Sequence, residues 1–274
     1  MNSELKTNLT VIILTYNEKL HIRRCLENVF QLNPKQVFVV DSPSTDGTDA
    51  IATEMGATVV AHKYPGNQAA QFNWALDNLP IEGEWILRLD ADEYLLPKSI
   101  EQLKQFIANP QEGVSLVALQ VERRWQQRKI AHGIPTMYIP RLFKFGTCRY
   151  NQQEMDEKLV AQVGEMIELP IVFVDDNLNS LEWWKQKHLN YAEREARQAL
   201  SGQHGNKAMY YKLPPYVRAV MYWGIRYFFW KGFLDGRAGW QWNFWQGLWY
   251  RWTVDKRIQE MKRERRRSRT ARGI

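Results

Sequence analysis

Two carboxylates stand two residues apart, Asp90 and Asp92, directly after the apolar run of EWILRLD. At the end of a strand, such a pair can turn toward one hard cation. Mg²⁺ and Mn²⁺ keep several waters and take one or two carboxylates together with substrate phosphates. A third carboxylate, Asp41, closes the run QVFVV inside VDSPSTDGT. A carboxylate that ends a buried strand is costly without a donor to accept from. The N–H edge of a nucleobase is one such donor.

These residues need elements to position them. LTVIILT (9–15), QVFVV (36–40), ATVVAH (57–62) and EWILRLD (84–90) read as strands, the first two apolar enough to be buried on both faces. Between them lie helical patterns. Asn17 can cap a helix with Ile22, Leu26, Val29 and Phe30 on one stripe. Ser44 or Thr45 can cap a second helix that runs through Met55 and stops at Gly56. Gln68 to Leu79 forms a third, and Pro97 opens a fourth, with Ile100, Leu103, Phe106 and Ile107 on its apolar face. Strands alternating with helices predict βαβ units and a mostly parallel sheet. Ligands bind such sheets at the carboxyl ends of the strands, where Thr15, Asp41 and Asp90 stand. VSLVALQVERRW and RLFKFG read as further strands, antiparallel or mixed, and the chain turns helical from about Ser180.

Composition bounds the rest. The chain has 274 residues, 45% of them hydrophobic and 24% charged, ordinary for a globular protein and long enough for a full core. The two cysteines, Cys25 and Cys148, form no disulfide framework or zinc clip and are expected reduced. MNSELKTNLT lacks a basic segment followed by an apolar one, so no signal peptide is expected. No uninterrupted apolar stretch is long enough for an ordinary membrane span. The net charge of +7 lies wholly in residues 256–274, which hold nine basic and two acidic residues. Seventeen aromatic residues fall within 210–252. The sequence thus divides into 1–178, a catalytic and nucleotide-binding domain; 179–255, a helical, aromatic-rich segment; and 256–274, a basic tail.

VIILTYNE, VVDSPSTDGT and ILRLDADE, in this order and spacing, resemble family 2 glycosyltransferases of the GT-A fold. PGNQAAQFNWAL, RLFKFGTCRYN followed by MDEKL, WWKQKHLNYAEREA and KGFLDGRAGW resemble the branch that contains lipopolysaccharide-core glucosyltransferases. The resemblance covers roughly residues 9–255. It implies an α/β fold, a Rossmann-like mixed and mostly parallel sheet flanked by helices, with a helical C-terminal extension. It implies inverting transfer of a sugar from a nucleotide diphosphate sugar, UDP-linked by expectation, to an acceptor hydroxyl in lipopolysaccharide or other cell-surface polysaccharide synthesis. The implied cofactor is a divalent cation, Mn²⁺ or Mg²⁺, on Asp92. Asp90 is assigned to the ribose or the metal shell, and Asp41 to the uracil edge. Thr15 and Glu18 lie on the nucleotide-facing loop, and Gln71 and Asn73 are further candidates for donor contacts. The base that takes the acceptor proton is Glu157 first and Asp156 second. An ordinary Glu, with a pKa of about 4.3, is a weak base that an adjacent carboxylate and burial would strengthen. Arg123, Arg124 and Arg141 could meet diphosphate or an acidic acceptor. The chain departs from the branch at Asp156, where His usually precedes the Glu, and at Asp176, where His often stands.

The aromatic segment carries Trp242, Trp245, Trp249 and Trp252 on one helical face. Upstream, MYWGIRYFFWKGF mixes Trp and Tyr with Arg226 and Lys231, and rings mixed with Arg and Lys suit a bilayer interface. The expectation is peripheral contact with an anionic membrane, on the inner face of the cytoplasmic membrane, and a glycan or lipid-linked acceptor. The Arg-rich tail also admits a nucleic-acid-binding protein, and the sheet admits a sugar nucleotidyltransferase. Against the first, residues 1–255 sum to zero charge and carry no nucleic-acid motif. Against the second, TYNE replaces a glycine-rich phosphate loop after the first strand.

Overall fold

The strand β1 (Thr7–Thr15) lies between β2 (Pro34–Asp41) and β4 (Trp85–Asp90), parallel to both. The computed structural model describes residues 6–151, 158–201 and 208–271. β3 (Thr58–Ala61) adds in parallel outside β2. On the other side the sheet turns mixed: β8 (Tyr138–Lys144) is antiparallel to β4 and to β6 (Val114–Trp125). β11 (Glu165–Asp175) then pairs in parallel with β6, and the short β5 (Glu93–Leu95) closes the sheet antiparallel to β11. The order is β3-β2-β1-β4-β8-β6-β11-β5. β9 (Cys148–Tyr150) and β10 (Leu159–Ala161) form a separate two-stranded ribbon.

Successive residues of β1 serve opposite faces. Leu9, Val11 and Ile13 join a core with Ile22, Cys25, Leu26 and Val29 of α1 (Ile22–Phe30), Ala52 of α2 (Thr48–Glu54), and Ile100, Leu103 and Ile107 of α4 (Pro97–Ala108). Ile12 and Leu14 join the opposite core with Phe72, Ala75 and Leu76 of α3 (Gln68–Asn78) and with Tyr150. Burial on both faces is why the run carries no polar alternation. Two caps differ from expectation. Asn17 caps no helix: it adopts φ 56° and bonds to the next loop, and α1 starts at Ile22. α2 begins after Gly47, whose φ is 88°, with Asp46 accepting from the N–H and hydroxyl of Thr48 in place of a Ser44 or Thr45 cap. Phe30 is exposed, and Cys25 fills the core position on α1. Both cysteines are free and buried.

The chain divides into two units, residues 1–127 with 136–178, and residues 128–135 with 179–274. The second holds β7 (Arg128–Ile130) and the helices α5 (Leu181–Leu200), α6 (Ala208–Lys212), α7 (Val217–Gly224), α8 (Gly236–Trp242) and α9 (Tyr250–Ala271). A π-helical segment, 243–249, joins α8 to α9. Among the described residues, the basic tail continues α9 as far as Ala271. Ile258 and Met261 are buried against Ala192 and Ala196 of α5, and Arg257 pairs with Glu193. The tryptophan stripe is largely internal to this unit: Trp242 is buried, Trp249 packs near Trp184, Trp245 lies under Lys185, and Trp252 alone of the four is exposed.

His188 stacks on Trp184 with ring centroids 3.5 Å apart, and its Nδ1 lies 2.9 Å from the Trp184 carbonyl. Burial lowers its pKa to about 4. The unfolded chain therefore binds a proton on this ring below about 6.5 that the folded unit does not. Stability should fall as pH drops from about 6.5 to 4 and level off below. Urea midpoints across that window should show the slope in the wild type and a flatter one in His188→Gln; equal slopes would contradict this reading.

Candidate functional site

Register alone brings the strand-end residues together. Thr15 pairs with Asp41 across β1 and β2, and Leu14 pairs with Asp90 across β1 and β4. Thr15 Oγ1 donates to Asp41 Oδ1 at 2.7 Å. Ser44 donates its N–H to Asp41 Oδ2 at 2.8 Å and its hydroxyl to Oδ1 at 2.6 Å. Asp41 thus finds its donors inside the protein, and Oδ2 retains acceptor capacity. The loops after β1 and β2 are laced together: Asn17 N–H donates to Ser44 Oγ, Thr45 N–H to Asn17 Oδ1, Lys19 N–H to Asp46 Oδ2, and Glu18 N–H to Thr48 Oγ1.

Glu18 also has a side-chain partner. His21 Nδ1 is 2.6 Å from Glu18 Oε2, and His21 Nε2 accepts the Leu178 N–H at 2.9 Å. An Nε2 that accepts leaves Nδ1 as the donor, so the ring is fixed in one tautomer. Gln71 is buried and donates to Ser42 Oγ at 2.8 Å, beside Asp41. Asn73 is turned to the ribbon: its amide donates to the Tyr150 carbonyl and accepts the Tyr150 N–H. Both its ends are used there, away from Thr15, Asp41 and Gln71.

Around Asp90 the site is a charge network. Asp90 Oδ1 lies 3.4 Å from Arg88, and Oδ2 lies 3.4 Å from Arg141. Arg141 makes a closer ion pair with buried Glu93, whose other oxygen accepts the Asp90 N–H at 3.0 Å. Burial pushes the Glu93 carboxyl up, and the Arg141 guanidinium it touches pulls it back down. Arg141 is itself buried and stays protonated, because Glu93 and Asp90 outweigh its desolvation. Its surroundings are this network and the Phe173 ring, 5.1 Å from its guanidinium. It therefore holds the turn after β4, a role the sequence did not reveal because its partners lie about fifty residues away.

Asp92 is half-buried. Its Oδ2 accepts from Asn177 Nδ2 at 2.9 Å, and its carbonyl accepts the Asp176 N–H at 3.1 Å. Asp176, one of the two departures from the branch pattern, is buried and paired with Arg24 at 2.8 Å. Burial and the charge of Asp92 push the neighbouring Asp175 up to about 6. Asn177 and Arg24 were missed in the sequence. The signal was non-local: β11 ends opposite β5, with Asp175 facing Glu93. Asp156 and Glu157 lie outside the described residues.

Among the described residues, no three His, Cys, Asp or Glu side chains converge as a ready-made metal cage. The residues present nevertheless fit Mg²⁺ or Mn²⁺. Asp92 Oδ1 accepts no hydrogen bond from the described residues, and a hard oxygen on a half-buried carboxylate is the donor these ions take alongside waters and phosphates.

A family model described as Glycosyl transferase family 2 matches residues 10–166. The chain is similar to an uncharacterized glycosyltransferase of Rickettsia conorii, 31% identical over 156 residues that cover 56% of this chain and 51% of that protein. It is similar to an uncharacterized glycosyltransferase of Mycoplasma pneumoniae, 28% identical over 140 residues, covering 47% of this chain and 46% of that protein. The match spans about half the length of these curated relatives. Among solved structures, it is similar to a Pyrobaculum calidifontis mannosyltransferase in complex with GDP-Man and Mn²⁺, at 18% identity and TM-score 0.48, covering 73% of this chain and 65% of that one. It is also similar to S. aureus TarS, at 17% identity and TM-score 0.47, covering 71% and 43%.

Arg141→Met would leave Glu93 buried without its cation. Breaking a buried pair on one side typically costs about 3–5 kcal/mol. Urea denaturation should show a loss of that order, and adding Glu93→Gln should recover part of it. A loss under about 1 kcal/mol for the single variant would contradict the role given to the pair.

Proposed function

The chain belongs to glycosyl transferase family 2, and from that premise we propose that it moves a sugar, with inversion, from a UDP-sugar to an acceptor hydroxyl of a cell-surface glycan or its lipid-linked precursor. One observation carries the reading: adjacent strands bring Thr15, Asp41 and Asp90 to a single sheet edge, with Asp92 directly beyond. Family membership supports a glycosyltransferase that uses a nucleotide-sugar donor; that activity, the nucleotide, the stereochemistry, the lipopolysaccharide-type pathway and the acceptor are our proposals.

In this reading Asp41 Oδ2 accepts the imide N–H of uracil, while Thr15 and Ser44 hold the carboxylate in place. Gln71 steadies Ser42 beside it. Asp90 faces the ribose, its orientation fixed by Arg88 and Arg141. Asp92 would hold the divalent cation, with Asn177 fixing one of its oxygens. The cation, when bound, supplies Lewis-acid neutralisation of the charge that grows on the departing diphosphate. Glu157, or in second place Asp156, takes the proton of the acceptor hydroxyl as it attacks. A single displacement with one base inverts the anomeric carbon. We further propose that the enzyme works at the cytoplasmic face of the membrane, where a lipid-linked acceptor is presented.

Two variants separate the roles. Asp92→Asn should abolish transfer with the circular dichroism spectrum unchanged; undiminished turnover would remove Asp92 from the metal role. Glu157→Gln should lower kcat by about two to four orders of magnitude, the usual range for losing a general base, with donor affinity nearly kept. If Asp156→Asn does this instead, the two carboxylates exchange roles.

A further inference from the structure

The helix α7 and the π-helical turn that continues it, Ile225–Phe229, are built inside out. Val217, Val220, Met221, Ile225 and Phe228 recur at helical spacing and are all exposed. The opposite face carries the charges into the interior. Arg218 is 4% exposed and bonded to Asp255, and Arg226 is 2% exposed and donates to the Gly133 carbonyl. A helix of an ordinary soluble domain has the reverse arrangement.

The apolar surface continues past the helix. Phe229 is 81% exposed, and Phe233 and Leu234, in the short 3₁₀ turn Gly232–Asp235, are exposed as well. Lys231 stands between the two turns with φ 57°. Contiguous exposed apolar surface of this kind marks an interaction site.

The exposed charges of residues 208–259 are of one sign. Lys212, Lys231 and Arg237 are exposed. The acidic residues between 208 and 259 are Asp235 and Asp255, and both are withdrawn. Asp235 accepts from His132 and from the backbone N–H groups of Ala131 and His132, and Asp255 is buried under Arg218 and the Tyr216 N–H. An apolar, aromatic surface on a segment whose exposed charges are cations and whose two carboxylates are withdrawn complements the boundary between anionic headgroups and acyl chains. Among the described residues, no helix is long and apolar enough to cross a membrane, so the fitting geometry is in-plane.

We propose that the face formed by α7 and the turns through Leu234 inserts into the interfacial zone of an anionic bilayer, with the rings of Phe228 and Phe229 in the acyl boundary and Lys231 at the phosphates. Within the aromatic segment this face, and not the tryptophan stripe, makes the insertion, and the inference stands on the second unit alone, independent of the donor chemistry.

Cosedimentation of the full chain with vesicles of phosphatidylcholine and phosphatidylglycerol (70:30) tests it. The wild type should bind these vesicles at 0.1 M NaCl and bind pure phosphatidylcholine at least tenfold more weakly. Phe228→Ser with Phe229→Ser should weaken binding at least tenfold at every salt concentration. Lys231→Glu should weaken it at 0.1 M and match the wild type at 1 M, because salt screens charge and not apolar insertion. Phe229→Ser alone, at a ring mostly in solvent, should weaken binding with the fold intact. Wild-type protein that ignores anionic vesicles, or serine variants that bind as it does, would overturn the proposal. So would sedimentation velocity showing a wild-type dimer that the serine variants dissolve, since a second copy would then cover the face. Donor hydrolysis, which reports on the strand-end site, should be unchanged in all three variants, so the two readings fail separately.

Discussion

The buried ion pair between Arg141 and Glu93 is the constraint on which the candidate site depends. Glu93 belongs to the short strand that closes the far end of the sheet, and Arg141 to the strand next to β4. Their contact, with Asp90 sharing the guanidinium, folds the chain back directly after β4. That turn places Asp92 against Asn177 at the end of β11. A buried charge pair adds little net stability over an apolar substitute. Its value here is geometric: it fixes where two acidic side chains stand at the edge of a parallel sheet.

The same edge was legible in the sequence wherever local pattern decides structure. The doubly apolar run of β1 identified a central strand, and the carboxylates after β2 and β4 followed from chain position alone. The loops were harder. Asn17 looks like a helix cap, yet the left-handed backbone at that residue and its bonds to Thr45 tie two loops together. The partners of Arg141 and Asp176 come from distant strands or helices, and no spacing rule on one chain segment predicts them. Asn73 reads as a candidate for a donor contact, and its amide is consumed by the backbone of a strand about seventy-seven residues later.

The second unit shows the limit of periodicity more sharply. The spacing of Trp242, Trp245, Trp249 and Trp252 predicts one helical face, yet the segment 243–249 that carries two of them is π-helical. Periodicity does not say whether the face meets solvent, lipid or another helix. Here Trp249 packs near Trp184 of α5 and Trp245 lies under Lys185, Trp252 is exposed, and α7 and its turns carry further exposed apolar side chains. The basic tail likewise reads by charge as a segment apart from the aromatic helices, while Ile258 and Met261 pack it into a helix pair.

The central claim is that the carboxyl ends of β1, β2 and β4 form a cation-dependent site for a nucleoside diphosphate. Titration calorimetry with UDP tests it most directly, in Mn²⁺ and again in excess EDTA. The account predicts one-to-one binding with Mn²⁺ that weakens at least tenfold when the cation is removed. Equal affinity in both conditions, or no binding of UDP in either, would contradict it.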